Sequence, residues 1–171
     1  PMGFYAPAQI VRDAQENGVK VLGIDVNASG WDNSIEEGAL RLGLRQVDSF
    51  REEWAKAIVA KRPFASIEEL ARRAALPSRA LHLLADADAV RSLGFDRREG
   101  AWEARRMPSD ELPLFAAAKA RELAQEEDAM LPAMPLGEHV AADYQMTRLS
   151  LKGHPMQFLR GLFASEGVPS C

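Results

Sequence analysis

The side chains best suited to chemistry in this chain lie between residues 44 and 106, and the chemistry they fit is the holding of phosphate. LGLRQVDSFREEWAKAIVAKR and LHLLADADAVRSLGFDRREGAWEARR read as two short helix-turn-helix units in tandem, joined by a capped helix at PFASIEEL. Tandem units of this kind set backbone N–H groups and basic side chains against a sugar-phosphate backbone. Arg51, Lys56, Lys61, Arg91, Arg97 and Arg98 are the cations such a surface offers, with Ser49 in the first turn. Charge follows the same division. The chain carries a net −4, yet residues 41–106 hold 14 Lys/Arg against 10 Asp/Glu. Residues 107–147 hold 2 against 8, and residues 1–40 hold 2 against 6. A local positive face can neutralise a few phosphates and release their counterions. A solvated helical surface has the same composition, so both readings stand on charge alone.

Other chemistries find little support. His82, His139 and His154 have no Cys, Asp or Glu partner at ligand spacing, so no metal site is expected. Asp25 and Asp32 flank a turn and are too isolated for a paired-carboxylate mechanism. No glycine-rich phosphate loop and no nucleophile motif is present, so no catalytic residue is assigned. Trp31, Trp54 and Trp102 are able to stack on bases, but Trp54 and Trp102 fall on apolar helix faces and are expected in the core. No helix presents an Asn, Gln or Arg set for base edges, which argues against sequence-specific readout.

The elements that must position these residues are mainly helical. A short helix is expected over 7–17, stopped by Gly18. KVLGIDV (20–26) and ALRLGLRQV (39–47) read as strands, separated by a turn-rich loop, NASGWDNSIEEG. Trp54, Ala57, Ile58 and Lys61 keep a spacing of three to four, giving one apolar stripe from Phe50 to Ala60. Ser66 and Glu69 form a capping box ahead of the next helix, and Pro77–Ser78 opens another that buries Leu81 and Leu84. Ala87–Asp88–Ala89 is a turn, and Arg97–Arg106 is a helix with Trp102 inward. Residues 107–137 are acidic and Pro-bearing, an exposed connector. Residues 138–171 hold two short helices, with Pro155 in a first turn. The fold class is therefore mainly α with a small β element. No apolar run reaches the roughly 18–20 residues of a membrane span. The N-terminus is unlike a signal peptide, and the single Cys171 is compatible with a reducing cytoplasm.

PMGFY, GIDVNASGWD, LRLGL, FASIEELARRAALPSRALHLLADADAVRSLGFDRREGAW, LPLF, LPAMPLGEHVAADY and LSLKGHPMQFLR together resemble the C-terminal region of the bacterial DNA polymerase III alpha-subunit (C) family, across essentially the whole chain. The ADADA turn and the LPAMPLGEHV…DY…LSLKGHP run resemble its error-prone, damage-inducible branch most. The resemblance implies that residues 1–38 end a fingers region and that 39–106 are a tandem helix-hairpin-helix domain. It makes 107–137 a connector and 138–171 a segment leading toward an OB-fold, expected to be truncated after Cys171. It implies a bacterial cytoplasmic parent, a DNA-directed nucleotidyltransferase using Mg2+ and dNTPs, with its metal-binding carboxylates upstream of Pro1 and no cofactor in this segment. Implied partners are duplex DNA, an inactive Y-family accessory protein and the sliding clamp. Leu112, Leu114 and Phe115 are the clamp-binding candidates, although Glu111 replaces the usual Gln, and such a segment also serves to pin a linker to its own domain.

A helix-hairpin-helix places Gly-x-Gly where backbone N–H groups must approach a phosphate closely. Here Ser49 and Arg51 stand at those glycines in the first hairpin, Asp48–Ser49–Phe50–Arg51, and Asp88 stands at the second, Ala87–Asp88–Ala89. Added Cβ atoms and a carboxylate weaken the grip. The expected function is a non-catalytic duplex-binding and scaffolding segment serving translesion synthesis and induced mutagenesis. The alternative is a protein-interaction module without DNA binding of its own.

Overall fold

A computed structural model describes residues 5–107 and 132–167. Helix α1 (Pro7–Glu16) begins on a proline, which needs no amide donor there, and ends at Gly18 with φ +81°. It leads into β1 (Val21–Leu22), β2 (Ser34–Glu36) and β3 (Ala39–Arg41), a sheet of order β1-β3-β2. β1 runs parallel to β3 with Val21 opposite Leu40, and β2 runs antiparallel with Ile35 opposite Leu40. Two expectations are corrected here. The loop over 27–38 contains β2, because Glu37 (φ +50°) and Gly38 (φ +80°) make a two-residue reverse turn whose twist suits a hairpin. The strand expected over 39–47 ends at Arg41 and passes into a 3-10 turn at Leu44–Gln46. Gly43 allows that change of direction: a Cβ there would collide with the backbone of Trp31 and Asp32.

Helices then dominate. After α2 (Glu52–Lys61) comes α3 (Ile67–Ala74), whose cap Ser66 accepts from the Glu69 amide at 3.1 Å. The Glu69 carboxylate returns to the N–H of Ala65, one residue before the cap. α4 (Ser78–Asp86) buries Ala80, Leu81, Leu84 and Ala85. α5 spans Arg97–Arg106 and opens on a full capping box between Asp96 and Glu99. The last two helices are α6 (Leu136–Thr147) and α7 (Pro155–Ser165).

One core joins these pieces. Val26, Leu44, Val47, Ile58, Leu70, Leu84 and Val90 have at most 2% of their surface exposed, and each fully buried aliphatic side chain contributes about 1.5–3 kcal/mol. α5 approaches α4 closely because Gly100 faces Val90 and Ala85. That face of α5 carries Arg97, Gly100 and Ala104, so Trp102 lies on the other side and is 40% exposed. The inward placement expected for Trp102 is thus reversed by a helix that buries its small residues. Trp54 is half-buried, its ring edge-on to Phe50 at 5.3 Å.

Candidate nucleic-acid interface

Each hairpin turns on a residue forced into left-handed backbone. Ser49 and Asp88 both have φ +59°, a conformation that costs an ordinary residue free energy and that glycine adopts freely. Two of the three positions at which the sequence lacks an expected glycine are therefore ones where the backbone calls for it; Arg51, the third, is extended with φ −101° and does not.

The first hairpin runs from the 3-10 turn at Leu44–Gln46 to the start of α2. Val47 and Phe50 are buried beneath it, while Asp48, Ser49 and Arg51 are exposed. Arg51, at the cap of α2, offers no side-chain acceptor to the helix. Its guanidinium lies over the Trp54 ring at 5.1 Å and pairs with Glu53 at 3.2 Å. Lys56 pairs with Glu52 at 2.9 Å. All four of these paired side chains are more than half exposed, so the pairs exchange readily with solvent ions and are worth little on their own. Lys61, at the last turn of α2, is exposed and has no side-chain partner among the described residues.

The second hairpin is closed over. Asp88 is only 8% exposed, and its carboxylate accepts from Arg91 Nε at 2.9 Å and from Lys152 Nζ at 2.9 Å. The repulsion expected of Asp88 is thereby neutralised inside the molecule. Lys152 also reaches Asp143 at 3.2 Å, and Asp143 accepts from Ser150 Oγ at 2.7 Å and from the Arg97 guanidinium. Arg97 is 4% exposed and donates its other arm to the His139 carbonyl at 2.7 Å. Arg97 is thus a core side chain and is removed from the phosphate-facing set. Arg98 is half-buried, paired with Glu138 at 2.8 Å and with the Pro132 carbonyl.

The N-terminal turn also braces the same hairpin. Val26 N–H donates to the Ala89 carbonyl at 2.9 Å, Ser92 N–H to Asp25 Oδ2 at 3.1 Å, and Asn27 Nδ2 to Ser92 Oγ. Asp25 therefore acts as a turn-former and tether. A cleft of about 410 Å³ opens between β1, the hairpin and the segment after α6, lined by Leu22, Leu42, Leu149 and Leu151 with Asp88 and Lys152. His139, 8% exposed, has its basicity lowered by burial and then by the neighbouring Lys152 and Arg97 charges. The bonds that tie Asp88 and Arg97 to the segment after the connector were not foreseen from sequence, because the partners lie more than 40 residues apart.

Among the described residues no three His, Cys, Asp or Glu side chains gather to hold a metal ion, and no helix is long and apolar enough to cross a membrane. The clamp candidates Leu112, Leu114 and Phe115 lie outside the described residues.

Paired hairpins on left-handed pivots, held on one core, define a helix-hairpin-helix module, and residues 18–100 match the family model described as "Helix-hairpin-helix motif". Along its whole length the chain is 56% identical to an error-prone DNA polymerase of Rhodopseudomonas palustris strain BisA53 and 58% identical to one of Brucella abortus. An error-prone DNA polymerase of Bradyrhizobium diazoefficiens is 46% identical, again over the full chain. The chain belongs to this family of error-prone DNA polymerases and corresponds to a stretch in their C-terminal part. It spans 17% of the length of the first two relatives and 20% of the third.

Proposed function

We propose that this chain is a non-catalytic segment of an error-prone DNA polymerase that holds the backbone of duplex DNA, without reading sequence, in translesion synthesis. The observation that carries the reading is the first hairpin: a left-handed turn at Ser49, exposed, flanked by Arg51 and Lys56, whose ion pairs are solvent-bathed, and by the exposed Lys61. Phosphates compete with Glu52 and Glu53 for those cations at modest cost, because exposed pairs are weak. The second hairpin is assigned a scaffolding role, with Arg91 and Arg98 as peripheral contacts. In the same reading, Mg2+ and dNTPs are assigned to other parts of the polymerase.

The test is duplex affinity against salt for the chain as it stands. Salt-sensitive binding that loses slope in Arg51→Ala with Lys61→Ala supports the reading, each lost phosphate contact lowering the slope by about one. Absence of binding at low salt would sink it.

A second reading is favoured by the outer face of α7, where Met156, Phe158, Leu159 and Leu162 are exposed. Apolar side chains grouped on one exposed helix mark a protein contact, and the partners proposed are the inactive Y-family accessory protein and the sliding clamp. Capture by clamp that survives Leu114→Ala with Phe115→Ala would remove the connector from that reading.

A further inference from the structure

The stretch that follows the connector touches both hairpins. At the first, the Met146 carbonyl accepts the Asp48 N–H at 2.8 Å, beside the left-handed Ser49. At the second, Lys152 seats on the buried Asp88. Val140 and Leu149 are buried, and Thr147 Oγ1 bridges the carbonyls of Asp143 and Leu149, so the stretch between the two anchors is fixed.

Arg148 sits between those anchors. It is exposed and has no side-chain partner among the described residues, unlike Arg51 and Lys56. Its φ is +62°, the left-handed conformation in which α6 ends. Two residues from Met146, its Cα lies within about 8 Å of that of a residue bonded to the first turn. The fold therefore brings Arg148, an exposed cation from a distant part of the sequence, close to a hairpin where Arg51 and Lys56 already have acidic partners.

We propose that Arg148 is a DNA-phosphate contact, supplied to the first hairpin by a segment that the second hairpin anchors. This rests on the duplex-binding reading above. It explains why the two hairpins differ: Asp88 holds Lys152, Lys152 fixes the segment, and the segment presents a planar donor suited to bidentate phosphate contact.

The experiment is a salt titration of duplex binding with the 171-residue chain, using a mixed-sequence oligonucleotide between about 50 and 200 mM salt. Arg148→Gly removes the charge while easing the left-handed backbone, so a disturbed helix end does not confound it. The slope of log affinity against log salt should fall by about one in Arg148→Gly and return in Arg148→Lys. An unchanged slope in Arg148→Gly, with the parent chain still binding, overturns this assignment and leaves the duplex-binding reading intact. Failure of the parent chain to bind at all overturns both.

Discussion

Ser49 and Asp88 share one backbone conformation at the pivots of the two hairpins, yet Ser49 is open to solvent while Asp88 is buried beneath Arg91 and Lys152. The contrast separates two uses of one motif. The first hairpin keeps its surface free, Arg51 and Lys56 held by exposed acidic neighbours that another anion can displace. The second has become a joint, where the N-terminal turn at Asp25–Asn27 meets the stretch through Lys152. A carboxylate at the pivot decides the matter. In place of an approachable backbone for anions it offers an acceptor for the chain's own ammonium.

The largest test of the contrast is Arg97→Ala. Its pair with Asp143 is buried on both sides, and removing one member of a buried pair typically costs about 3–5 kcal/mol; Lys152 and Ser150 remain on the Asp143 carboxylate, so a loss near the low end, about 3 kcal/mol, is expected. Urea unfolding should show that loss. Arg51→Ala, on the first hairpin, should change stability by no more than about 0.5 kcal/mol while weakening duplex binding. Equal costs at the two sites would break the distinction.

Glycine substitution comes next and should differ in sign. Asp88→Gly relieves the backbone but removes an acceptor of two charge-assisted bonds, each worth about 1.5–3 kcal/mol when buried. Partial exposure of Arg91 and Lys152 lets both recover solvation, so a net loss of roughly 1–2 kcal/mol is expected. Ser49→Gly makes no such sacrifice. Relief of a left-handed residue, about 1–2 kcal/mol, less the added freedom of the unfolded chain, leaves a gain of about 0.5–1 kcal/mol. Thermal unfolding of both variants decides the point, and stabilisation by Asp88→Gly would show that its ion pairs contribute nothing.

Much of this architecture was legible in the sequence because it rests on local signals. Pro7, Ser66, Gly18 and Gly94 mark element ends, and the absent glycines at 49 and 88 are where positive φ occurs. The fold class, mainly helical with a small sheet, stands as expected. What escaped depends on partners far apart in the chain. Arg97 looks like a surface cation until Asp143 and the His139 carbonyl are brought to it. Trp102 looks like a core residue until Gly100 takes the close contact with α4. Arg148 carries no local signal of any kind, and only the bond between Met146 and Asp48 places it near a hairpin.

The smallest effect expected is one of pH, and it too divides the hairpins. His139 packs into the second joint with its Nδ1 unsatisfied, and burial together with Lys152 and Arg97 lowers its pKa below the ordinary 6.5, against the weaker pull of Asp88. Between the folded value and 6.5 the unfolded chain binds a proton that the folded chain does not, so stability is constant above about 6.5 and falls as pH drops through that window. His139→Gln should flatten this part of the profile. No histidine lies between residues 44 and 61, so duplex affinity of the folded chain should not follow the same titration. A matching fall in affinity, abolished by His139→Gln, would mean that the joint and the DNA-facing hairpin are coupled more tightly than the contacts between them require.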